Sequence, residues 1–271
     1  MDIARIDYWA VHGRSRWHRA SPVSKLLGAA ALVGAVAAST SPFVLLALYL
    51  SVLAAVVSTG LPALRIALIA AYPGIFALLF AVSQWTGNPV VPAVIILKAL
   101  GASLTMLLVI TTTPYPALFA VLQRGLPRSV VAGLFLTYRS LFLLLALWGH
   151  LWTALALRGG LPRRRPWVGL ANLASGLGLL FIRALALSER FHAVLLLRGY
   201  RGVFTNGGTR LLQRGEDLLP LVLGGVLLGA ALADRFVPTV FGPYNGYLLG
   251  AALLALLVAW LVRRPAQRRP L

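Results

Sequence analysis

Two long apolar stretches of this sequence close on the same phrase. One ends Ala154-Leu155-Ala156-Leu157-Arg158-Gly159-Gly160, and the other Val194-Leu195-Leu196-Leu197-Arg198-Gly199-Tyr200. An apolar run followed by Arg and Gly reads as a helix C-terminus. The arginine faces the negative end of the helix dipole, and the glycine takes the left-handed stop. The chemistry available to such an end is recognition. A guanidinium offers planar donors that pair bidentately with carboxylates. One ending of this kind is accounted for by dipole capping, or by snorkelling to lipid phosphate. Its repetition on consecutive long helices suggests one surface that presents two arginines to a partner.

Other residue chemistry is sparse. Six acidic residues are spread over 271 positions, and there is no cysteine. That argues against a membrane-embedded enzyme, which needs clustered acids for a metal or for proton transfer. His12, His18, His150 and His192 lack the close spacing of metal ligands. His12 and His18 read as interfacial tail residues rather than a cation trap. No Gly-x-x-x-x-Gly-Lys-Ser/Thr phosphate loop occurs, so any ATP must be hydrolysed by another chain. Asn206-Gly207-Gly208 reads as a turn. No catalytic, cofactor-binding or metal-binding residue is expected. A stand-alone carrier would need ionisable groups or broken helices at mid-membrane, and Lys98 and Pro73-Gly74 are the only hints.

The elements that must position the two arginines follow from composition. Hydrophobic residues make up 59% of the chain and charged ones 11%, against about 25% in soluble domains. Mean hydropathy is +0.85. This is an all-α membrane protein. Spans of near 20 residues are expected at about 23–39, 43–59, 64–83 with a kink at Pro73-Gly74, 90–111, 218–233 and 246–262. Residues 1–25 form a basic, aromatic interfacial tail, interrupted by Asp2, Arg5 and Asp7 too early to be a secretory signal. Pro116 to Gln123 is a short interfacial helix. Glu216-Asp217 are expected to cap the fifth span.

The formal net charge is +19. A nucleic-acid binder could be as basic but not as apolar, so anionic lipid head groups and an acidic partner are the expected counterparts. With the N-terminus in the cytoplasm, 23 of the 25 Arg and Lys residues fall inside. Arg235 alone lies outside and Lys98 alone within a span. Both termini are therefore expected to be cytoplasmic, around six spans. The two long helices, about 128–158 and 167–198, carry Arg128, Arg139 and His150 on one stripe and Arg183, Glu189 and Arg190 on the other helix. At roughly 45 Å each they exceed a bilayer core, and mid-bilayer arginine is costly. They are expected to be amphipathic and cytoplasmic, joined by the basic turn at 161–166. Three parts result: the tail and spans 1–4 over 1–112, a cytoplasmic domain over 113–217, and spans 5–6 with a basic tail over 218–271.

At these residues the chain resembles the T components of energy-coupling factor transporters, a branch of importers driven by ATP-binding-cassette ATPases. The family phrase is Ala-Arg-Gly, twice. Here it stands as Leu157-Arg158-Gly159 and Leu197-Arg198-Gly199. Leucine before each arginine is a departure that changes the fine geometry of a contact. Ile6-Asp7-Tyr8-Trp9-Ala10 and Ser21-Pro22-Val23-Ser24-Lys25-Leu26 are similar to the start of the cobalt-system T component, CbiQ. Arg139 within Leu136-Thr137-Tyr138-Arg139 fits the family's first long helix, where its role is structural.

The resemblance implies a scaffold in the cell membrane rather than an enzyme. It would couple two cytoplasmic ATPase subunits to a substrate-binding S component, CbiM-like, with or without a CbiN-like small subunit. Each helix end would dock on a different ATPase. Cobalt is the cargo that the N-terminal match points to. The same role in a nickel or vitamin system, an enzyme, or a stand-alone carrier are the other readings.

Overall fold

A computed structural model describes residues 3–13, 15–85, 87–123, 125–160, 166–199, 215–236 and 245–262. Most of the basic turn at 161–166 and of the connection at 199–217 lies outside the described residues. So do Asn206-Gly207-Gly208 and the four C-terminal arginines. All regular structure among the described residues is helical. The helices are α1 (Ile3–His12), α2 (Arg16–Arg19), α3 (Pro22–Ala38), α4 (Pro42–Ser58), α5 (Ala63–Ala70), α6 (Tyr72–Ser83), α7 (Val90–Thr112), α8 (Tyr115–Leu122), α9 (Arg128–Leu157), α10 (Pro166–Leu197), α11 (Leu218–Phe236) and α12 (Asn245–Leu261).

Every stretch expected to span is a helix, and the chain is a multi-pass membrane protein. Among the described residues five segments are long and apolar enough to cross: Ala63–Ser83, Val90–Thr112, Ser129–Leu157, Trp167–Leu197 and Leu218–Phe236. Pro22–Ala38, Pro42–Ser58 and Gly246–Leu261 are apolar and slightly shorter. By length and composition alone the two long helices thus qualify as spans as well. The kink expected in the third span lies at Ala71, where α5 stops and α6 begins with Pro73 in its first turn. Proline lacks the N–H that would continue the ladder.

The chain forms two compact units, residues 1–118 with 209–271 and residues 119–208. In the first, α7 touches α1, α3, α4, α5 and α6, while α3 packs along α11 and α4 along α12. One cluster of buried side chains joins Trp17, Leu32, Val52, Val56, Ile66, Leu104 and Leu108. A second joins Ala35, Val36, Val44, Leu45, Leu48 and Ala231. Lipid tails are as apolar as leucine, so helices in a bilayer associate through close packing rather than hydrophobicity. The α3–α11 pair shows how. A Cβ on Gly28 would stand 2.4 Å from the Pro220 carbonyl oxygen, and one on Gly224 would stand 2.6 Å from that of Gly28. The absent side chains let the two backbones meet.

The N-terminal tail differs from expectation. It folds into α1 and α2, and Trp17 is buried among the helices, its indole N–H donating to Ser58 Oγ at 2.8 Å. Ser15 caps α2, and Ser21 caps α3 with Pro22 at the first helical position.

In the second unit α9 and α10 lie side by side. Phe119 of α8 meets Phe135 and Tyr138 of α9 edge to face, at centroid distances of 5.5 and 6.1 Å. The expected amphipathic pattern is diluted. Large apolar residues such as Leu145, Trp152, Leu170, Phe181, Ile182 and Leu196 are exposed together with Arg139, Arg183 and Arg190.

Candidate functional site

The two Arg-Gly endings are built alike. In α9 the Arg158 N–H donates to Ala154 O (3.1 Å), the last α-helical bond. Gly159 N–H then donates to Ala156 O (3.2 Å) and Gly160 N–H reaches back to Leu155 O (2.8 Å). Gly159 has φ +64. This is the double-bonded left-handed stop in which glycine satisfies carbonyls that the helix leaves open. In α10 the Arg198 N–H donates to Val194 O (3.1 Å) and Gly199 N–H to Leu196 O (3.0 Å), with φ +72 at Gly199. A Cβ on either glycine would meet nothing within 4 Å. It is the backbone conformation, not crowding, that demands glycine there.

The side chains before each stop are open. Leu157 is 84% exposed and Leu197 88%, and both arginines are exposed. Each end therefore offers an exposed leucine, an exposed guanidinium and a glycine turn.

The relation of the two ends follows from how α9 meets α10. Arg139 of α9 places its guanidinium carbon 4.8 Å from the Phe191 ring centroid. Leu151 of α9 lies against Gly176 of α10, where a Cβ would stand 3.2 Å from its methyl groups. Asn172 Nδ2 donates to Gly160 O at 2.9 Å. As α9 residues climb in number their α10 partners fall, so the pair is antiparallel. The end of α10 lies level with the first turns of α9. Roughly 25 helical residues at 1.5 Å each then separate the two Arg-Gly ends by about 37 Å. The expectation of one surface presenting two arginines becomes two separate tips at opposite ends of a rod.

Arg139 serves the rod itself. Its stack on Phe191 contributes about 0.5–1 kcal/mol at an exposed site. It lines a groove of about 350 Å³ between the helices, with Leu136, Ser140, Leu187, Ser188 and His192.

The remaining polar residues resolve into structural roles. Lys98 Nζ donates to Ala37 O at 3.0 Å and Arg235 to Ala38 O at 3.2 Å. Both thus satisfy last-turn carbonyls of α3. Lys98 needs no transport role to explain it. His12 bonds back to Tyr8 O (3.1 Å) and stacks on the Tyr8 ring (4.1 Å between centroids). His18 is half-buried. Its Nδ1 lies 2.7 Å from Ser15 Oγ, and burial, then the charge of Lys25, hold its imidazole below the usual pKa. No group of three His, Asp or Glu residues that could hold a metal occurs among the described residues.

Sequence reasoning missed one cluster. Lys25, read as part of the basic tail, is only 4% exposed, and its Nζ donates to Thr112 O (2.9 Å) and His18 O (3.3 Å). Asp217, read as a cap for α11, is 1% exposed. Its carboxylate accepts from Ser21 N–H and from Ser24 Oγ (3.3 Å) at the start of α3. Glu216 pairs with Arg19 at 3.1 Å. The run Thr111-Thr112-Thr113 at the end of a span was the available signal.

Comparison with known protein families matches residues 13–209 to the family described as CbiQ, cobalt transport protein. No curated protein matches the chain.

Proposed function

The chain belongs to the CbiQ cobalt transport protein family and is a cobalt transport component; from that premise we propose that it is the membrane scaffold that couples two cytoplasmic ATPase subunits to a membrane substrate-binding subunit. Residues 1–112 and 218–271 supply the spans in this reading, and 113–217 the cytoplasmic coupling domain. Both termini are cytoplasmic, in the orientation that keeps 23 positive charges inside. The α9–α10 rod lies on the cytoplasmic face. Its exposed arginines and its helices of 30 and 32 residues fit water and protein better than hydrocarbon.

The observation that carries the reading is the matched pair of ends. Leu157-Arg158-Gly159 and Leu197-Arg198-Gly199 share backbone conformation and exposure and sit at opposite tips of one rod. Two copies of one ATPase, or two related ATPases, would find the same recognition element twice, at a spacing that keeps them apart. Leucine supplies apolar burial and arginine supplies bidentate bonding. Anionic lipids meet the basic flanks.

Co-purification with ATP-dependent uptake tests the reading. The chain in detergent should retain two ATPase subunits, and vesicles should take up cobalt only when ATPases, chain and substrate-binding subunit are all present. Cobalt uptake or substrate turnover by the chain alone overturns it in favour of a carrier or an enzyme.

A further inference from the structure

We propose that Lys25 and Asp217 are positioning residues. They clamp the end of α7 and the entry to α11, the two places in the first unit from which the chain runs to and from the α9–α10 unit, onto the start of α3, so that movement of the rod reaches the spans instead of dissipating in the connections. The proposal rests on the coupling role above for its consequence, but the clamp itself lies within the first unit.

The chain leaves that unit at Leu118, within α8 and six residues past the end of α7, and belongs to it again ahead of α11. Lys25 holds the exit, because its Nζ donates to the Thr112 carbonyl, the last residue of α7. Asp217 holds the return, because it accepts from the Ser21 N–H and the Ser24 hydroxyl one residue before α11 begins. Both bonds end on the same turn of α3. Ser21 Oγ accepts from Ser24 N–H (3.2 Å), so that turn is itself capped and rigid. Thr111, Thr112 and Thr113 are buried to the same degree as Asp217.

The lysine is placed against local preference, which indicates a role at this joint. A lysine in the first turns of α3 faces the positive end of that helix dipole. It is held there by the negative C-terminal end of α7 and by the Asp217 charge across the cluster. A buried ion is tolerated only with such partners, and losing one leaves the other uncompensated. A hydrophobic contact would join α3, α7 and α11 without fixing direction. Charge-assisted bonds to one carbonyl and one N–H fix the register of both crossings.

The test uses Lys25→Met, Asp217→Asn and Asp217→Glu in the full chain, alone in detergent and assembled with its ATPases and substrate-binding subunit. In the chain alone, hydrogen exchange should accelerate at residues 109–113 and 216–222 in the first two variants and not in α4 or α12. In the assembled complex, ATPase retention should stay at the unsubstituted level while cobalt taken up per ATP hydrolysed falls about tenfold, within the ordinary range of coupling between sites. Asp217→Glu should restore part of that ratio. Where Asp217→Asn does not accumulate, Lys25→Arg carries the same comparison. It keeps the charge but displaces its donors. Unchanged exchange at both crossings, or an unchanged uptake-to-hydrolysis ratio with faster exchange, overturns the proposal. Failure of the unsubstituted chain to retain ATPases at all would instead overturn the coupling role, and the exchange measurement would still judge the clamp.

Discussion

Leu104 of α7 and Leu145 of α9 sit in helices of similar character, yet Leu104 has no exposed surface and Leu145 is open. The difference lies at the centre of each unit, since α5, α6 and α12 of the first also leave large apolar residues open. In the first, glycines at 28 and 224 bring α3 and α11 into backbone contact, and two clusters of buried side chains fill the rest. In the second, α9 and α10 touch along one seam and leave leucines, two tryptophans and Phe181 uncovered on their other faces. A bundle with a filled centre holds its own shape. A rod joined along one seam, with open flanks and two capped, charged tips, has more of its surface left to whatever surrounds it.

That comparison breaks most sharply at the tips. Truncating one partner of a desolvated charge contact costs about 2–5 kcal/mol. Arg158→Ala or Arg198→Ala alone should weaken ATPase retention while the other tip still holds. The double variant should lose more than the two single effects predict, because tethered contacts reinforce each other through effective concentration. Lysine at either position should rescue in part, since a point charge lacks the planar fork. The melting temperature of the chain in detergent should not move. Pull-down at matched expression measures this. Full retention by the double variant would make both arginines helix caps and erase the functional contrast between the units.

Both tips were legible in the sequence because a glycine-stopped helix end is a local structure, set by four or five neighbouring residues. The spans were legible for a similar reason: hydropathy and the Ser-Pro and Pro-Gly punctuation act over one helix. What could not be read was anything set by pairing across the chain. The burial of Trp17 depends on Ser58, and Asp217 meets Ser21 across 196 residues. The opposite placement of the tips depends on which faces of α9 and α10 meet, through Leu151 on Gly176 and Arg139 on Phe191. The arginines read as helix markers carry no signal of that distance.

A methyl group placed in each unit sharpens the contrast further. Gly224→Ala puts a carbon 2.6 Å from the Gly28 carbonyl oxygen, which is backbone and cannot step aside. Overpacking of this sort costs about 1–3 kcal/mol. Gly149→Ala on α9 meets open space, and removing a mid-helix glycine gains about 0.5–1 kcal/mol. Thermal melts of the chain alone should therefore move in opposite directions. Equal destabilisation at both positions would mean that the rod is packed as tightly as the bundle. A stable Gly149→Ala chain with poor assembly would mark that face as covered in the complex.

A smaller effect belongs to the stops themselves. Alanine at Gly159 or Gly199 has room but not the backbone conformation, and a left-handed residue other than glycine costs about 1 kcal/mol. The last turn should fray, seen as faster hydrogen exchange at residues 155–160 or 195–199, with ATPase retention reduced less than by loss of the arginine. Retention reduced as much as by Arg158→Ala would show that the turn's shape, rather than the guanidinium, is what a partner reads.

The smallest expected effect is a pH dependence confined to the bundle. His18 has its pKa lowered, first by burial and then by the charge of Lys25. The unfolded imidazole, near 6.5, thus binds a proton before the folded one does. Stability supplied by the neutral ring is fully present above that value and is lost as pH falls from there through the folded pKa. Protonation would place a second positive charge beside Lys25, at the start of α3. Relative to the intrinsic rate, hydrogen exchange in α2 and the first turns of α3 should therefore quicken as pH falls below about 6.5, while exchange along α9 and α10 follows only its intrinsic pH dependence. His18→Gln should flatten the response and leave the rod unchanged. A matching acid response in α9 would tie the rod's stability to this corner of the bundle, and the two units could no longer be treated as independently held.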